Sequence, residues 1–158
     1  MRLCEGLTHL ESVVCLTKNT EDSLDRFLIA QEGTYPIALN EIKCGKKRSH
    51  WMWFIFPQLR GLGTSAMAYK YGIAGLEEAR AYLAHPILSE RLYEICYALL
   101  EHKDKTAYSI LGEIDAMKLC SSMTLFSIAT ENHPVFDEVL NCFFDGVPDE
   151  KTVKMIYG

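Results

Sequence analysis

Two stretches of the chain gather the side chains that could do chemistry. The first, 46–63, reads K-K-R-S-H-W-M-W-F-I-F-P-Q-L-R-G-L-G. Arg48 and Arg60 supply planar guanidinium forks that suit phosphate or carboxylate, an exposed face of Trp51 or Trp53 could stack on a ring, and His50 and Gln58 add hydrogen-bonding groups. In the second stretch, 115–126, Asp115, Lys118 and Ser122 fall at i, i+3 and i+7 of a helical pattern, with Ser121 beside them. Such a stripe is either a solvated seam, with Asp115 capping the helix and pairing with Lys118, or one wall of a pocket in which Lys118, Ser121 and Ser122 hold a polar or anionic ligand. The chemistry on offer is recognition of an anion and a ring. No Ser-His-Asp order, paired-carboxylate spacing or metal-ligand cluster stands out, and G-L-G at 61–63 follows no strand and lacks the lysine of a phosphate loop. No metal or cofactor is therefore expected, and no reaction type is assigned.

The elements that must position these groups follow from the rest of the chain. A length of 158 residues with 49% hydrophobic and 23% charged content fits one domain with a real core. The formal charge of −5 disfavours a general nucleic-acid binder, though a local basic patch survives that objection. No apolar run approaches the roughly 20 residues that span a bilayer, and 1–20 lacks a basic, then apolar, leader pattern. A cytosolic protein with no membrane association is expected. The six cysteines, at 4, 15, 44, 96, 120 and 142, include no C-x-x-C pair, so free thiols are expected rather than disulfides or metal ligands.

Residues 1–20 show no clean periodicity and are read as an N-terminal extension to a single helical domain over 21–158. Within that domain the spacing of apolar residues predicts helices over 23–31, 35–44, 76–84, 87–101, 116–129 and 134–144, the first two forming a hairpin. Shorter helices are expected at 50–56, capped by Ser49, at 65–71, capped by Ser65, after Thr106 and after Asp149. The run W-M-W-F-I-F also has strand propensity, but nothing else in the chain offers a strand to pair with it. His85 and His133 precede prolines at helix starts, where capping explains them, and Glu77 and Glu78 are read as first-turn acids on an exposed helix. The 115–129 helix is apolar almost all round and so should be central. The fold class is mainly α, a single compact domain of about eight or nine short helices around that buried helix.

The strings G-K-K-R-S-H-W-M-W-F-I-F-P-Q-L-R-G-L-G at 45–63, E-A-R-A-Y-L-A-H-P at 78–86 and D-A-M-K-L-C-S-S-M-T-L-F at 115–126 are long and specific. Over about 24–156 the chain resembles the domain-of-unknown-function 1810 family, sometimes labelled calpastatin. That resemblance implies a mainly helical fold and supplies no activity. Nothing in the chain looks like a calpain-inhibitor repeat. The residues themselves favour a domain that binds a small anionic or nucleotide-derived ligand between 47–63 and the 115–129 helix, using Arg48, His50, Trp51, Trp53, Gln58, Arg60, Asp115, Lys118, Ser121 and Ser122. Two alternatives stand beside it. One is a protein-interaction module using the basic aromatic segment, and the other is a hydrolase of an ADP-ribose-like compound.

Overall fold

In a computed structural model of the chain, residues 23–158 are described; the expected extension at 1–20 lies outside them. They form ten helices: α1 Asp25–Gln31, α2 Tyr35–Lys43, α3 Met52–Ile55, α4 Ala66–Lys70, α5 Leu76–Ala84, α6 Pro86–Leu100, α7 Ala107–Leu111, α8 Glu113–Ala129, α9 Val135–Phe144 and α10 Glu150–Tyr157. Among the described residues the only β pairing is one parallel bridge, Leu59 to Ile73. The fold is mainly α, as the apolar spacing predicts.

Helix α8 is the centre. Its buried residues run from Ala116 through Leu119, Met123, Leu125 and Phe126 to Ala129 and leave no wide polar face, and α5, α7, α9 and α10 all pack on it. Phe126 lies between Tyr82 of α5 and Phe136 of α9, with ring centroids 5.3 and 5.6 Å away. Local signals set several helix ends. Ser65, Thr106 and Asp149 each accept a hydrogen bond from a first-turn N–H, and His85 accepts two. Gly45 ends the α2 turn at φ +74°, a conformation most side chains resist.

Three local expectations are corrected. Helices α1 and α2 do not form the expected hairpin; α1 packs chiefly on α3, and α2 on α6. Asp115 is not the cap of α8, because Gly112, at φ +87°, lets the helix begin at Glu113 and leaves Asp115 inside the first turn. Glu78 is not merely a first-turn acid on an exposed face. It holds Arg26, which is 5% exposed, in a two-pronged ion pair at 2.8 and 3.2 Å. The same guanidinium donates to Ser23 O, Lys70 O and Gly72 O, so every prong has an acceptor and α1 is tied to the 70–74 turn. Without those partners a buried guanidinium would cost several kcal/mol, roughly the scale seen when a buried ion pair is broken.

The four cysteines among the described residues, Cys44, Cys96, Cys120 and Cys142, are free. Burial pushes the Cys96 thiol far up from its ordinary range. No described helix is long and apolar enough to cross a membrane.

Candidate functional site

The segment between α2 and α3 is shaped by a buried acid. Glu41 sits on the inner face of α2, 9% exposed, and its carboxylate accepts hydrogen bonds from the backbone N–H of Arg48 at 2.7 Å and of Ser49 at 3.0 Å. The Ser49 hydroxyl and Trp51 Nε1 donate to it as well, the latter at 3.0 Å. Ser49 is thus an arm of this network rather than the cap of α3. Burial alone would raise the Glu41 pKa; the hydrogen bonds from Ser49, Arg48 and Trp51 outweigh it and hold the group at about 2. The carboxylate folds the K-R-S-H-W segment back on α2 and aims Lys47 at α8.

Lys47 Nζ meets Asp115 Oδ2 at 2.9 Å, donates to Ser49 O at 2.5 Å and lies 4.9 Å from the Trp51 ring. The other Asp115 oxygen is 3.9 Å from Lys118 Nζ, and that ammonium lies 4.9 Å from the centre of the Trp53 ring. Residues about 65 positions apart in the chain thereby form one seam. Its charged side chains are well covered, with relative exposures of 8% for Lys47, 20% for Asp115 and 22% for Lys118. Two ammonium groups share one carboxylate, and the shorter contact belongs to Lys47. The positive charge left unbalanced is that of Lys118, the more open of the two.

The remaining candidates divide. Arg48 and His50 are exposed beside the seam, with Arg48 fixed through its backbone. Trp51 is wholly buried and serves the core. Gln58 is buried near Gly63, and its carbonyl accepts from Ile73 N at 2.9 Å. Arg60 turns to α4 instead: Nε donates to Tyr69 O at 3.0 Å, and the guanidinium lies 4.6 Å from the Tyr69 ring. Ser121 is not open to solvent and donates to Met117 O within the helix at 3.1 Å.

Ser122 is fully buried, and its hydroxyl has no hydrogen-bond partner. By helical period it lies between Asp115 and Lys118 in azimuth, one turn further along. A buried hydroxyl with no partner costs about 1–3 kcal/mol. Ser122→Ala is therefore expected to leave the melting temperature unchanged or raise it, and a clear fall would show that the hydroxyl has a partner.

Lys47 and Glu41 are the residues that sequence reasoning missed. Lys47 looks like a helix-end complement to α2, and Glu41 looks like one more helical acid. Cavities lie away from the seam. One of about 560 Å³ adjoins the end of α6, with Tyr97, Glu101 and Glu138 in its wall. Another, of about 280 Å³, is lined by Thr124, Ser127, Asp137 and Tyr157 among others.

Comparison with known proteins bears on the fold and the family. The chain is similar to the conserved hypothetical protein Rv1873 from Mycobacterium tuberculosis, whose crystal structure at 1.38 Å superposes with a TM-score of 0.85 at 44% identity, covering 87% of this chain and 98% of that one. No curated protein matches the chain. The model of the family described as protein of unknown function DUF1810 matches residues 21–156. The chain belongs to the DUF1810 family.

Proposed function

We propose that the seam between the Lys47–Trp53 segment and α8 binds a small anionic ligand that carries a flat ring, of which a nucleotide is the simplest example. The observation that carries this reading is the unbalanced ammonium of Lys118 over the Trp53 ring, held in place by Asp115 and Lys47. A phosphate would complete the charge pairing, and a base could take the ring face from Lys118. Arg48 and His50, exposed beside the seam, would supply further donors to the ligand's oxygens.

Binding rather than turnover is the reading, because each carboxylate of the region is already committed. Asp115 faces two ammonium groups and Glu41 takes four donors, so neither is poised to move a proton as hydrolysis of an ADP-ribose-like compound would need. A cytosolic setting belongs to the same reading and accords with the four free thiols. The protein-interaction alternative draws on Ile114 and Met117, which flank Asp115 and Lys118 and are 71% and 66% exposed.

The test is a thermal-shift series with AMP, ADP, ribose 5-phosphate and inorganic phosphate against the wild type and Lys118→Ala. A ligand at 100 times its Kd adds about 2.7 kcal/mol to stability. The expected result is a rise in melting temperature with ADP that Lys118→Ala removes without lowering the melting temperature of the free protein by more than a few degrees. No shift with any of the four compounds would count against a ligand site, and the apolar flank of α8 would then be the surface to pursue.

A further inference from the structure

Beyond the seam lies a second cationic feature, built from the end of α2 and the loop between α6 and α7. Segments 43–50 and 102–109 together hold six Lys and Arg residues and a single acid, Asp104, in a chain whose formal charge is −5. The fold brings them edge to edge. Lys47 N donates to Ile110 O at 2.8 Å, and Lys46 Nζ reaches Ser109 O at 3.5 Å. Lys105 Nζ lies so close over Gly45 that a Cβ there would sit 2.6 Å from it. Lys43, Lys46, Arg48 and Lys105 are exposed, and none forms an ion pair with a described residue. Tyr108, next to Ser109 on α7, is 64% exposed.

The end of α2 does not account for this charge. Its last carbonyls are already taken: Asn40 O by Cys44 N, Glu41 O by Lys46 N, and Ile42 O by Gly45 N and His102 Nε2. One or two cations would complement the helix dipole, whereas four exposed cations on neighbouring segments with no ion pair to a described residue repel one another. Net acidity does not cancel a local field on that scale.

We infer that this edge is a docking surface for a single-stranded polynucleotide. Evenly spaced phosphates would neutralise Lys43, Lys46, Arg48 and Lys105, and the open ring of Tyr108 would take a base, a combination that single-strand binders use. A duplex hides its base faces and would leave Tyr108 unused. Apart from Arg48, which borders the seam, the surface uses residues outside it, and it stands whether or not the seam binds a nucleotide.

Fluorescence anisotropy of the full chain with a labelled dT12 strand tests this, with dT12·dA12 duplex and polyglutamate as comparators. Saturable binding to dT12 is expected, tighter than to either comparator. Three or four phosphate contacts should give a slope of log K against log salt of about −2 to −3, at about −0.7 per contact for a single strand. The double variant Lys46→Glu/Lys105→Glu should weaken binding at least tenfold and flatten that slope by more than one. Tyr108→Ala should weaken binding about tenfold with the slope unchanged. Neither variant should alter the ADP thermal shift of the wild type, so failure here is separable from failure of the seam. Equal affinity for polyglutamate, tighter binding of the duplex, or wild-type behaviour of the double variant would overturn the inference.

Discussion

Glu41→Ala is expected to destabilise the fold by about 3–5 kcal/mol, the scale of breaking a buried, fully partnered charged group. The loss strands four donors at once: two backbone N–H groups, the Ser49 hydroxyl and the buried Trp51 Nε1. Water can replace the carboxylate only at the edge of the network, because Trp51 is wholly covered. Glu41→Gln keeps an acceptor but turns an amide N–H₂ toward donors, so it should fall between alanine and the wild type. The same network gives a pH signature. The Glu41 pKa is about 2 in the folded chain against an ordinary 4.5, so its contribution is complete above pH 4.5 and is lost as pH falls from about 4.5 toward 2. Urea titrations at pH 7 and pH 3 should show a smaller loss of stability between the two values in Glu41→Gln than in the wild type. An equal loss would mean that the carboxylate is not held down by these donors.

Trp51→Ala is expected to cost about 3–5 kcal/mol, whereas Trp53→Ala should cost well under half of that. Two residues apart on a short helical turn, the two indoles face opposite ways. Trp51 goes inward against Phe56, with ring centroids 6.3 Å apart, and Trp53 stays half-buried beneath Lys118. Chemical denaturation of the two variants separates them. Similar losses would show that Trp53 is core and not a ring platform.

The sequence made the helices legible because their signals are local. Pro86, Thr106 and Asp149 start helices where their side chains and backbone dictate, and the apolar spacing of 116–129 marks a buried helix without any partner being known. What stayed hidden depends on pairs brought together by folding. Arg26 and Glu78 are 52 residues apart, and each alone reads as a surface charge. Asp115 was legible as a helix-start acid, but its exact place was not, because the left-handed Gly112 moved the start of α8 by most of a turn. In the seam, Lys118, Asp115 and Trp53 were legible as candidates from residue type and spacing. Arg60 carried the same chemical promise, yet the bridge from Leu59 to Ile73 carries it toward Tyr69.

The most direct measurement of the seam uses Trp53 as its own reporter. The chain holds two tryptophans, so Trp51→Phe leaves Trp53 as the sole indole while keeping aromatic bulk in the core. Titrating that variant with ADP should change the Trp53 emission saturably, and adding Lys118→Ala should abolish the change while the melting curve stays cooperative. Emission that does not respond to ADP, or that responds equally without Lys118, would contradict a ligand site between Trp53 and α8.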